Sequence, residues 1–75
     1  MKHLLTTTYG QHNLSVMIES NKENYAFPTY FIDGYEVKDI SNSLPIFAML
    51  LIALQQDYLD RNNLKLASVI DLRKR

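Results

Sequence analysis

Apolar and polar residues keep one rhythm up to about Ser41 and a different one after it. In the first part the alternation has a period of two. "LSVMIE" sets Leu14, Val16 and Ile18 against Ser15, Met17 and Glu19, the pattern of a half-buried strand. "LLTTTY" before it is rich in β-branched residues, and "GQHN" between the two has turn chemistry. Residues 3–9 and 14–20 are therefore expected to form a hairpin. "SNKEN" is a polar connection, and a third strand is expected from about Tyr25 to Ile32. Pro28 lacks a ladder donor, which places it at an edge, at a bulge or at the start of that strand.

Asp33-Gly34 is the strongest local signal. A two-residue turn with positive φ at both positions suits this pair, so Ile32 should oppose Tyr35, Phe31 oppose Glu36 and Tyr30 oppose Val37. Tyr30, Ile32, Tyr35 and Val37 then share one face, and Thr29, Phe31, Glu36 and Lys38 the other.

After Ser41 the period becomes helical. Ten of the eleven residues from Leu44 to Leu54 are apolar, with Pro45 the exception. Asn42 or Ser43 is the expected N-cap, Pro45 falls in the first turn, and Asn62-Asn63 offers a stop, predicting a helix over 44–61. Phe47, Leu50, Leu51, Leu54 and Tyr58 form its natural core stripe. Ile46, Met49, Ala53 and Ile52 widen the apolar arc beyond the ~100° that one sheet surface needs. "LKLASVIDLRKR" is ambiguous, and a shorter second helix over 64–73 is the favoured reading. Strands followed by helices predict a single α+β domain over 1–75. Its sheet region is 3–40, an antiparallel meander of about four strands with two hairpins, packed against one long apolar helix.

Length and composition sharpen this picture. A 75-residue chain without cysteine has neither disulfides nor thiolate zinc sites to reinforce a small core. Oligomerisation is the remaining support, so the surplus helix residues Ile46, Met49, Leu50 and Ala53 are expected at a homodimer interface. The apolar run ends at Gln55, too short for a membrane span, and "MKHLLTTTYG" lacks the ~7–15-residue apolar stretch of a signal peptide. The expected location is the cytoplasm.

Eight basic residues balance eight acidic ones, whereas nucleic-acid binders are usually basic. His3 and His12 lie near opposite ends of the first hairpin, about 20 Å apart if Tyr9 opposes Leu14. Two solvated histidines are the simpler reading, and no metal is expected. Asp57 and Asp60 read as a solvated helix face, with Asp57 able to pair with Arg61. Without a thiol, a nucleophile elbow or a Gly-rich phosphate loop, neither catalytic residues nor a cofactor is expected.

Tyr25, Phe27, Phe31 and Tyr35 stand in a segment without a basic residue. They are the candidate contacts for a protein partner, because such rings are enriched at interfaces. The reading that follows is a small non-enzymatic inhibitor or regulator that binds a larger protein. Tiny, neutral, cysteine-free binders of this style are common among proteins encoded by phages and other mobile elements. The alternative is a nucleic-acid-binding regulator using Lys65, Arg73, Lys74 and Arg75.

Overall fold

A computed structural model describes residues 1–67. The fold is α+β: an antiparallel sheet extended by one short parallel strand, with one helix across one face. The strands are β1 (Lys2–Tyr9), β2 (His12–Ser20), β3 (Tyr25–Ile32), β4 (Tyr35–Val37) and β5 (Lys65–Leu66); the helix α1 is Pro45–Arg61. β1 to β4 follow chain order, and β5 pairs in parallel with β3.

Three hairpins build the sheet, one more than expected. The first is tighter than the sequence implied: Tyr9 faces His12 rather than Leu14. Gly10 adopts φ 60° in a two-residue loop, the glycine-first arrangement that matches strand twist. His12 is thus a strand residue. Between β2 and β3, the Asn21 side chain accepts from the backbone N–H groups of Glu23 and Tyr25, both at 3.0 Å. A local polar clasp therefore holds "SNKEN". The Asp33-Gly34 turn forms as predicted, with φ 53° and 84° and the expected register.

Pro28 sits inside β3, and the ladder explains why this is tolerated. Asn21 N–H bonds to Tyr25 O, and Asp33 N–H to Asn13 O, so odd-numbered β3 residues bond toward β2. Even-numbered residues bond outward: Ala67 N–H reaches Ala26 O. Pro28 is even, and its missing donor faces the gap between β5, paired at Tyr25 and Ala26, and β4, paired from Tyr30.

The helix starts one residue later than expected and without the expected cap. Leu44 precedes a proline and is held extended (φ −59°, ψ 137°), so the helix begins at Pro45. Neither Asn42 nor Ser43 caps it; Asn42 ends a 3₁₀ turn, Ile40–Asn42, with Asp39 as its N-cap and Ser43 as its C-cap. The Asp39 carboxylate accepts from Ser41 N–H at 3.1 Å and Ser41 Oγ at 2.6 Å, which holds its pKa below the ordinary value. At the other end, Asn63 adopts φ 55° and Leu64 N–H bonds back to Leu59 O at 2.9 Å. That reversal satisfies the last carbonyls and aims the chain along β3.

It also settles part of the ambiguous C-terminal stretch. Lys65–Leu66 is a strand, not the start of a second helix; residues 68–73 of that expected helix lie outside the described residues. The helix has 17 residues, an ordinary length rather than a long one, and none in the described chain is long and apolar enough to cross a membrane.

The core divides into two clusters under α1. Val16, Ile18, Ala26 and Leu59 form one, and Leu14, Phe47 and Leu51 the other. The buried helix row is Phe47, Leu51, Gln55 and Leu59, spaced i, i+4, while Leu50, Leu54 and Tyr58 are only half-buried on its flank. Gln55, read from sequence as the polar end of the apolar run, is 1% exposed. The Tyr30 hydroxyl donates to its Oε1, and its Nε2 donates to Gln56 Oε1 at 3.1 Å. No buried side-chain polar atom in the described chain is left without a partner.

Candidate functional site: the open sheet face

Since α1 packs on one face of the sheet, strand alternation assigns the other. Register gives it three rows. Thr6, Ser15, Phe31 and Glu36 lie side by side; next come Leu4, Met17 and Thr29; then Lys2, Glu19 and Phe27, with Tyr25 beside Lys65 at the end. The centre (Leu4, Met17, Phe27, Phe31 and the small hydroxyl residues) is uncharged. The charges Lys2, Glu19, Glu36 and Lys65 stand around the rim and balance one another. Leu4 is 50% exposed, Phe27 37% and Tyr25 40%, whereas Met17 and Phe31 are half-buried against their neighbours.

Three of the four ring residues singled out from sequence therefore meet on one surface: Tyr25, Phe27 and Phe31. Tyr35 does not join them. It opposes Ile32 on the helix side and is 79% exposed at the end of β4. Of the expected dimer residues, Met49 (59% exposed) and Ala53 are exposed, while Ile46 and Leu50 are half-buried against the Leu14 cluster. Lys65 lies at the rim of the open face beside Tyr25; Arg73, Lys74 and Arg75 lie outside the described residues.

The histidines do not converge. His3 stacks on Tyr58 (centroids 4.7 Å apart, planes at 11°) near the end of α1, and His12 packs edge-on to Phe47 near its start. Eleven helical residues, about 16 Å, separate the two ring partners. Neither histidine is simply solvated. His12 Nδ1 lies 2.7 Å from Asp33 Oδ2, and Asn13 N–H donates to Asp33 Oδ1 at 2.9 Å. Asp33 is thus both a turn residue and a clamp between two hairpin ends, which no local sequence pattern announces. No group of three or more potential metal ligands gathers among the described residues.

The bonds from His12 and Asn13 hold the Asp33 carboxyl below its ordinary pKa. A carboxyl with a lowered folded-state pKa adds stability above its unfolded value near 3.9, and that stability is lost as pH falls through the folded value. Urea midpoints are therefore expected to be level from pH 6 to about 5 and to fall below about 4. Asp33→Asn should flatten that fall in part, Asp39 supplying the remainder; an unchanged acid profile in Asp33→Asn would contradict the clamp.

The face has an apolar, partly aromatic centre and a neutral, mixed-charge rim. No protein-family model matches the chain, and neither a curated protein nor a solved structure matches it.

Proposed function

We propose that the chain is a non-enzymatic protein-binding module that inhibits or regulates a larger protein and works as a homodimer. The observation that carries the partner half is the open sheet face, where Leu4, Met17, Phe27 and Phe31 surround an uncharged centre. Such a centre suits the desolvated core of a protein interface, where charged residues are depleted. A phosphate-tracking surface would instead interleave lysine and arginine with the rings. This face has Lys2 and Lys65 only at its rim, offset by Glu19 and Glu36.

The test is a pull-down from the native host, comparing the wild-type chain with the Phe27→Ser/Phe31→Ser variant. A protein is expected to be captured by the wild type and lost by the variant, with the far-UV circular dichroism of the two alike. Equal capture by both would overturn the role of this face. Steeply salt-dependent DNA or RNA binding by the wild type would favour the nucleic-acid alternative instead.

A further inference from the structure

The self-association half of that reading has a specific surface. β1 is an edge strand: β2 lies on one side of it and no described strand on the other. Met1 exchanges backbone bonds with Ser20, so the odd-numbered residues of β1 bond toward β2. The N–H and C=O groups of Lys2, Leu4, Thr6 and Thr8 therefore point outward along the free edge. Long edges of this kind are normally blunted by charge, proline or a bulge. β1 has one charge, Lys2, no proline, and an unbroken register through eight residues.

Above the same edge lies the surplus apolar flank of α1. Ile46, Leu50 and Ala53 follow i, i+4, i+7 spacing and so form one apolar stripe, which ends at Asp57, a carboxylate paired with Arg61 at 3.2 Å. Thr7 of β1 and Leu50, Ala53, Leu54 and Asp57 line a shallow groove of ≈ 280 Å³. Because His3 meets Tyr58 and Tyr9 meets Phe47, the helix runs antiparallel to β1 and touches it near both ends, while its buried row packs on β2.

We infer that a second copy of this chain pairs antiparallel with β1 through that edge, with Leu5 opposite Leu5 on the two-fold axis. This inference rests on the homodimer reading and is independent of the partner on the open face. The register is self-complementary. Lys2 meets Thr8 of the second copy and Leu4 meets Thr6, so every outward group from Lys2 to Thr8 is used, adding about eight backbone bonds. Lys2 faces a threonine rather than another lysine, and a chain of zero net charge carries no long-range repulsion against its mate. Both helices stay on one face of the joined sheet. With strands ~4.8 Å apart their axes stand about 10–14 Å from each other, so Leu50 and Leu54 face one another's subunit across the axis. The wall formed by a ~27 Å strand and two layers ~20 Å thick covers roughly 1,000 Å² in total, the size a specific interface needs. The open face of Phe27 and Phe31 remains free in such a dimer.

Sedimentation equilibrium of the full chain from 1 to 100 µM tests this, together with single-cysteine variants made in the cysteine-free background. A species of twice the chain mass is expected. Thr6→Pro removes an outward donor and spares the β1–β2 ladder, and should give monomer; Leu50→Glu on the flank should do the same. Leu5→Cys is expected to oxidise to a covalent dimer at least about tenfold faster than Leu4→Cys or Thr6→Cys, because only position 5 meets itself across the axis at ~4.5 Å. Monomer throughout the range, an intact dimer in both Thr6→Pro and Leu50→Glu, or faster crosslinking at position 4 or 6 would each overturn the inference. None of these results bears on capture through Phe27 and Phe31, so the two readings fail separately.

Discussion

Leu51→Ala is expected to destabilise the protein by about 3 kcal/mol, within the range of about 2–5 kcal/mol seen for buried leucines. Leu51 is fully buried in a cluster with Leu14 and Phe47, and its row, Phe47, Leu51, Gln55 and Leu59, is the buried row of the helix. Truncation removes apolar contact and leaves a cavity that a two-layer fold can close only in part. A single core in a chain of this size rarely supplies more than about 3–5 kcal/mol in total, so the variant should be largely unfolded at 25 °C. Ile52→Ala, one residue on but 38% exposed, should change stability by less than about 1 kcal/mol. Urea unfolding followed by circular dichroism separates the two. Equal effects at positions 51 and 52 would mean that the helix is rotated about its axis, with Ile52 brought toward the sheet.

Tyr30→Phe should cost about 1–3 kcal/mol, although it removes a single oxygen atom. The Tyr30 hydroxyl is the partner of Gln55 Oε1, and Gln55 is buried at the junction of the two core clusters. Burial also raises the Tyr30 pKa, so the hydroxyl remains a donor throughout the neutral range. Losing it strands an acceptor away from water. Gln55→Leu should cost less, because Tyr30 is only half-buried and its hydroxyl can turn to solvent. The double variant Tyr30→Phe/Gln55→Leu should recover most of the loss, since both polar partners are then gone together. A double-mutant cycle measures this directly. A neutral Tyr30→Phe would show that water already serves Gln55.

These two positions also mark how far the sequence could be read. Leu14, Val16 and Ile18 announced their burial through strict alternation, and all three are core. Leu51 stood within the predicted helix stripe. Gln55 gave no such signal, because its polarity argues for exposure and only its place in the i, i+4 row beside Tyr30 buries it. The helix start moved to Pro45 for a local reason legible in principle: a residue before proline avoids the helical region. For the open face, the Asp-Gly turn determined that Phe31 and Tyr35 lie on opposite faces, so part of that surface was legible from turn chemistry alone. Tyr35 did not join the cluster for the same reason.

Short-range chemistry settled the rest of what the sequence decided by itself: an α+β chain, the Asp33-Gly34 hairpin and its register, the helix and its asparagine stop. Those features depend on φ preferences and periodicity within a few residues. The tertiary structure alone decided that Lys65–Leu66 joins β3 as a parallel strand, that Asp33 clamps His12, that Gln55 is buried, and that β1 is an edge among the described strands, beside the apolar flank of α1. Each depends on contacts between residues far apart in the chain, whose pairing no local pattern encodes.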